Sequence, residues 1–155
     1  MAQTYYSTKI TPQVHYGFNE KIWVNLENAV RAAVPSGDTL YVVTGAAFRK
    51  KGGNETIKYG TNTNDGKRLP IPNYYWKVLL KVKLSGAMIN SAMGVGFWFE
   101  NADHTSGDYV QYAIPINTIE EWTGFDFFCN LPGSNSEGIE ADAESNGNWY
   151  TFKNN

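Results

Sequence analysis

The sequence predicts an α+β domain built on an antiparallel or mixed central sheet. Three observations predict it: one long helical pattern early in the chain, from Phe18 to Val34; strand-like runs that follow one another with only turn-rich connections between them; and one short helical pattern late, after Pro115. The chain has 155 residues, 42% hydrophobic and 15% aromatic, which suffices for one core and one domain. That domain is expected to cover residues 1–132. The tail 133–155 is rich in Gly, Ser, Asn and Glu and is expected to be partly mobile, with Trp149, Tyr150, Thr151 and Phe152 docking back.

The formal net charge of −2 excludes a protein that holds nucleic acid by its overall field, although a local site can still hold a phosphate. Cys129 is the only cysteine, so an internal disulfide is excluded. Following Phe127 and Phe128, it reads as a small buried residue rather than a nucleophile. No window approaches the ~18 apolar residues of a membrane-spanning helix. The opening MAQTYYSTK lacks the basic-then-apolar build of a signal peptide, so no localisation is assigned.

In chain order, Thr4 to Thr8 suits a short strand, which Thr11-Pro12 ends. The loop Gln13 to Gly17 delivers the helix, and Pro35-Ser36-Gly37 stops it. Thr39 to Phe48 is β-branched and nearly continuously apolar, which predicts a central strand covered on both faces. Arg49 to Pro72, with its glycines, asparagines and cations, predicts a long hairpin arm or loop. Tyr74 to Leu84 is a strand whose polar positions are Lys77, Lys81 and Lys83, and its leading aromatics Tyr74, Tyr75 and Trp76 read as core more readily than as base-stacking groups. Met93 to Glu100 is a further strand whose glycines predict a bulge or a close backbone approach. Asn101 to Asp108 is a polar loop and Asp108 to Ile114 another strand. A short helix follows, with Pro115 at its start, Ile116, Ile119 and Trp122 on one face and Gly124 beyond its end.

The early helix carries the unusual pattern. Phe18, Ile22, Leu26 and Val30 form an apolar stripe, and the row beside it reads Asn19, Trp23, Glu27, Arg31. Spacing alone leaves this row open to a plain reading, in which Asn19 caps the helix start and Glu27 pairs with Arg31 on a solvated face.

The run Ile10 to Arg31, ITPQVHYGFNEKIWVNLENAVR, resembles the metal-binding segment of the DNA/RNA non-specific endonucleases, the sugar-non-specific ββα-metal nucleases. Its pattern of TPQ, then N-x3-W-x2-LE-x3-R, is met by Thr11, Pro12, Gln13, Asn19, Trp23, Leu26, Glu27 and Arg31. Ile119 to Pro132, IEEWTGFDFFCNLP, resembles the family's closing motif, and Leu40 to Phe48 its core strand. The resemblance implies a ββα-metal nuclease fold with DNA and RNA as substrates. It implies that Asn19 is the one direct protein ligand of Mg2+, or of a similar divalent cation such as Mn2+. That fits an ion that keeps most of its water and prefers oxygen donors. Glu27 would hold water around the ion, and Arg31 would meet the phosphate as a bidentate donor.

The sequence departs from the family at the general base. The family's histidine lies in a DRGH-like segment upstream of the helix, which is absent from these 155 residues. Residues like 2–13 lie mid-domain in the family, so the chain reads as a C-terminal portion whose histidine would come from a missing N-terminal half. An export signal, in a secreted or periplasmic parent, would lie there as well. His15 reads as a solvated loop histidine rather than a substitute base, His104 sits in a polar loop, and Lys9 replaces a common asparagine. Arg49, Lys50 and Lys51 read either as contacts to a nucleic-acid backbone or as a solvated hairpin tip. Asp126 reads as a cap or turn residue. The chain alone is expected to cleave poorly or not at all; the alternative is an inactive nuclease-like module that binds nucleic acid or protein.

Overall fold

The computed structural model describes residues 11–34, 38–61, 65–86, 88–130 and 145–154. The expected strand at Thr4 to Thr8, the Pro35-Ser36-Gly37 stop and most of the tail lie outside them. Helix α1 comprises His15–Trp23, closed in wide π turns, and Val24–Ala32, which is α-helical. Six strands follow, β1 Thr39–Ala47, β2 Lys58–Thr61, β3 Arg68–Ile71, β4 Tyr74–Ser85, β5 Met88–Glu100 and β6 Ala113–Ile114. Helices α2, Ile116–Thr123, and α3, Trp149–Asn154, complete the chain.

The main sheet has four strands in the order β1-β4-β5-β6, all antiparallel, and β2 pairs with β3 as a separate arm inside the predicted hairpin region. Alternation divides the sheet residues between two cores. On one face Tyr75, Leu79, Val95, Phe97 and Phe99 meet Phe18, Ile22, Leu26 and Val30 of α1 and Trp149 and Phe152 of α3. The predicted apolar stripe of α1 is thus buried, and of the tail aromatics Trp149 and Phe152 dock while Tyr150 stays exposed. On the other face Trp76, Val78 and Trp98 meet Ile116 and Ile119 of α2 and Phe127 of the closing motif. Gly96 makes that second contact possible, since a Cβ there would stand 2.6 Å from Ile119 Cδ1. The predicted close approach of the Met93 to Glu100 glycines is met here.

Four expectations need correction. Among the described residues β1 stands at an edge of the sheet, and it is not covered on both faces: Tyr41 and Val42 are 48% and 46% exposed, and the central places belong to β4 and β5. A β-branched run suits either place, and only the pairing decides. Lys77 and Lys81 are buried, at 5% and 3% exposure, because that part of β4 lies between two helical layers, whereas Lys83 near the strand's end is exposed. The expected strand from Asp108 is a 3₁₀ turn, Val110–Tyr112, followed by only two paired residues. Cys129 is exposed, and the burial expected of it falls to Phe127.

Candidate metal and phosphate site

The site helix starts from an anchored loop. The Tyr75 hydroxyl donates to the Pro12 carbonyl at 3.0 Å and shares a hydrogen bond with the Thr11 hydroxyl at 2.8 Å. Asn101 accepts from the Val14 N–H at 2.8 Å and donates to the Pro12 and Pro72 carbonyls at 3.0 and 2.9 Å. Thr11 and Pro12 of the TPQ run are thereby pinned to the ends of β4 and β5. The chain then breaks helical geometry at Tyr16 and Gly17. Gly17 has φ +74°, and a Cβ there would fall 1.7 Å from Asp103 Oδ1 and 2.8 Å from the His104 nitrogen. Only glycine turns the chain here and lets the Asp103-His104 loop close against it.

Regular helix resumes at Phe18, where the sequence placed its start, but with wider turns than an α-helix. The Asn19 N–H donates to the Val14 carbonyl, five residues back, at 3.1 Å. This bond spans the break at Tyr16 and Gly17; beyond it Asn19 is exposed whereas Trp23, on the same four-residue row, is buried against Phe18, Tyr75 and Phe99. Asn19 is not a cap: Val14 holds the N-cap position and no side chain caps the helix. Among the described residues the Asn19 side chain has no hydrogen-bond partner.

The two flanks of α1 differ in kind. On one, Lys21 donates to the Thr105 carbonyl and Asn25 to that of Gly107, at 3.1 Å for the latter, so the 101–108 loop is strapped along the helix. The opposite flank, Asn19, Trp23, Glu27 and Arg31, looks toward β1. There Arg31 Nη2 stands 3.7 Å from Glu27 Oε2 and Nη1 donates to Asn28 Oδ1 at 3.0 Å. Thr44 and Val42, on the same sheet face as Lys77 by register, are exposed beside this flank. An amide oxygen and a carboxylate on one open flank are hard donors that suit a hydrated divalent cation. Among the described residues no three His, Cys, Asp or Glu side chains cluster as a metal cage.

These residues lie within a longer correspondence. The family model of the DNA/RNA non-specific endonuclease matches residues 1–134. The chain belongs to the DNA/RNA non-specific endonuclease family. It is 28% identical over 134 residues to Nuclease C1 of Cunninghamella echinulata var. echinulata, covering 84% of this chain and 51% of that protein. It is 30% identical over 129 residues to the Nuclease of Serratia marcescens, covering 82% and 44%. It shares its fold with a chain in the crystal structure of the EndoG/EndoGI complex, at a TM-score of 0.62 and 21% identity, covering 84% of this chain and 52% of that one. The chain thus spans about half the length of the curated relatives it matches.

Neither histidine of this family member stands free. His15 Nε2 lies 3.2 Å from Glu20 Oε1 on an exposed surface. His104 uses both ring nitrogens. Its Nε2–H donates to the Glu100 carbonyl at 2.9 Å, because a carbonyl only accepts, which leaves Nδ1 to accept from the Tyr112 hydroxyl at 3.0 Å in the neutral ring. Of the cations Arg49, Lys50 and Lys51, the first and the last are exposed and Lys50 is half-buried. Arg49 donates to the Glu55 carbonyl at 2.8 Å, Lys50 Nζ lies 3.3 Å from the Trp122 ring centroid, and the Lys51 N–H donates to the Trp122 carbonyl at 2.6 Å. Lys50 and the Lys51 backbone thereby tie the start of the hairpin arm to α2. In the closing motif Glu120, rather than Asp126, caps the turn, its Oε1 accepting from the Phe127 N–H at 2.6 Å.

Lys77 was missed as a site neighbour, because a lysine among strand residues gives no sign of burial. Its Nζ donates to Thr44 Oγ1 at 2.9 Å and lies 4.6 Å from the Trp23 ring centroid. Burial pushes its pKa below the ordinary lysine value; the Glu27 carboxylate works against that shift and Arg31 adds to it. With the native pKa depressed, the unfolded chain binds the proton more tightly, so stability rises with pH between the native and the ordinary lysine pKa. Lys77→Met is therefore expected to be more stable than the wild type near neutral pH, with an advantage that shrinks as pH rises through that window. Urea unfolding at a series of pH values reads the difference; an advantage that does not change with pH would contradict a charged, desolvated Lys77.

Proposed function

We propose that this chain is the C-terminal portion of a magnesium-dependent endonuclease that hydrolyses DNA and RNA, and that its general-base histidine comes from an N-terminal half outside these residues. The observation that carries the reading is the open flank of α1. It offers the exposed Asn19 amide, and Glu27 and Arg31 at 3.7 Å from one another, within the family match. When bound, the divalent ion would neutralise a phosphate oxygen and acidify water. Asn19 holds it through the side-chain oxygen. Glu27 accepts hydrogen bonds from water around the ion and orients it, and Arg31 swings from Asn28 to give a phosphate a bidentate donor. Hydrolysis also needs a base within hydrogen-bond reach of the attacking water. The engaged states of His15 and His104 support a base supplied from elsewhere.

Incubation with supercoiled plasmid and Mg2+, with and without chelator, tests this reading. The chain alone is expected to nick little, and chelator-sensitive nicking is expected once a polypeptide carrying the histidine segment is added. Robust chelator-sensitive nicking by the chain alone, lost in Asn19→Ala, would sink the missing-base part and make His15 the candidate base. Binding of nucleic acid without cleavage under either condition would favour the inactive binding module.

A further inference from the structure

The positive charge of this chain is gathered in a segment that the proposed mechanism does not use. Residues 49–72 carry six of the thirteen Lys and Arg, namely Arg49, Lys50, Lys51, Lys58, Lys67 and Arg68, against two carboxylates, Glu55 and Asp65, although the whole chain stands at −2. This segment holds the β2–β3 arm. Its ends are clamped by Asn73, whose Nδ2 donates to the carbonyls of Phe48 at 2.7 Å and Thr56 at 3.1 Å. Asn101 then joins the arm to the site. Its side-chain amide bonds Pro72, just after β3, and also Pro12 and Val14, and the Val14 carbonyl in turn accepts from the Asn19 N–H. The arm therefore springs from beside the Asn19 end of α1.

Register divides the arm into two faces. Lys58 and Ile71 pair on one, and they border a cleft shared with Glu55 and Glu100, whose carboxylates repel a phosphate. On the other face lie Tyr59, Thr61, Arg68 and Pro70, all exposed. There the Arg68 guanidinium carbon stands 4.4 Å from the Tyr59 ring centroid. Lys67 is taken up by Asp65 at 3.2 Å, whereas Arg68 has no carboxylate or hydrogen-bond partner among the described residues. A guanidinium held over a tyrosine ring is already ordered and keeps its N–H donors free for a phosphate.

We propose that the Tyr59 and Arg68 face of the arm holds the backbone of the nucleic-acid strand whose scissile phosphate lies at Asn19, with the Arg68 guanidinium binding a phosphate beyond the cleaved linkage. The proposal rests on the nuclease reading of the Asn19, Glu27, Arg31 flank. Charge selects the occupant: a cationic arm on an acidic chain fits a polyanion. Arg68 binds the strand and takes no part in the chemistry.

The test follows fluorescence anisotropy as the full chain, with Mg2+, is titrated into a labelled single-stranded DNA with phosphorothioate linkages, about 16 nucleotides long to span a single-strand groove. Arg68→Gln is expected to weaken binding roughly tenfold, the size of one charge-assisted contact. It should also lower the slope of log affinity against log salt by about 0.7, the value of one single-strand phosphate contact. Tyr59→Leu keeps the charge but removes its support, so it should weaken binding about threefold with the slope unchanged. Both side chains are exposed, so neither substitution reaches a core. Lys153→Gln, which removes an exposed cation from α3 instead, should change neither affinity nor slope. An equal loss in Lys153→Gln overturns the proposal, because the arm would then act only through net charge. Magnesium-dependent binding that Asn19→Ala weakens and Arg68→Gln leaves unchanged overturns the proposal alone. Wild-type binding that is absent, or indifferent to Mg2+ and to Asn19→Ala, overturns the site reading and, with it, the proposal.

Discussion

Asn19→Ala is expected to abolish divalent-cation binding by this chain and to leave its fold intact. The two halves of that expectation have separate causes. The side chain is exposed and has no partner among the described residues, while the N–H to Val14 that shapes the π turn belongs to the backbone and survives the substitution. Truncation therefore leaves no cavity and no orphaned group, and surface changes of this kind shift stability by only about 0.5 kcal/mol. The ion, by contrast, would lose the side chain proposed as its direct protein ligand. Even outer partners of metal sites cost about 10–100-fold in affinity, so a direct ligand should cost at least about a hundredfold. Mn2+ titration followed by electron paramagnetic resonance measures this. Asn19→Asp should keep the site, because a carboxylate is also a hard oxygen donor. Equal Mn2+ affinity in Asn19→Ala and wild type would remove the amide from the proposed mechanism.

The largest effect on stability is expected at Phe18. It is 0% exposed, and its ring lies 5.5 Å from Trp23, 5.3 Å from Tyr75, 6.1 Å from Phe99 and 5.8 Å from His104, centroid to centroid. Deleting such a ring costs about 3–5 kcal/mol, from lost burial and from the void left among rigid neighbours. In a domain of this size that lowers the melting temperature by roughly 10 °C. The consequence reaches the site as well. Phe18 is the first regular residue after the Gly17 break and Asn19 is the next, so loosening Phe18 frees the flank. Phe18→Ala should thus lose both stability and Mn2+ affinity, whereas Asn19→Ala loses only the second. A cost below about 1 kcal/mol in urea unfolding would show that the α1 anchor is not where the structure puts it.

The reading from sequence succeeded where the signal was periodic. The stripe Phe18, Ile22, Leu26 and Val30 repeats every four residues, and burial follows whichever layer it meets, so the α1 core contact was legible. The pairing of Glu27 with Arg31 was legible too, since helical spacing puts them within reach of each other in any helix. The π turn was not. It depends on the Thr11-Pro12 anchor at Tyr75 and on Asp103 and His104 packed against Gly17, contacts made by residues 60 or more positions away in the chain. Lys77 escaped for the same reason, because its burial is conferred by Trp23 above and Thr44 beside it.

By itself the sequence determined the α+β class, the one helix with its buried stripe, the strand segments and the family motifs, because each of these rests on local periodicity or on a short run of residue types. Only the tertiary structure decided that β1 lies at an edge among the described residues, that Lys77 is buried against Trp23, that both histidines are engaged, and that Asn19 is turned out to water while Trp23 is turned in. Those outcomes depend on which distant segments meet, and a lysine, a histidine or a β-branched strand carries no local mark of the neighbours that will desolvate it or leave it exposed.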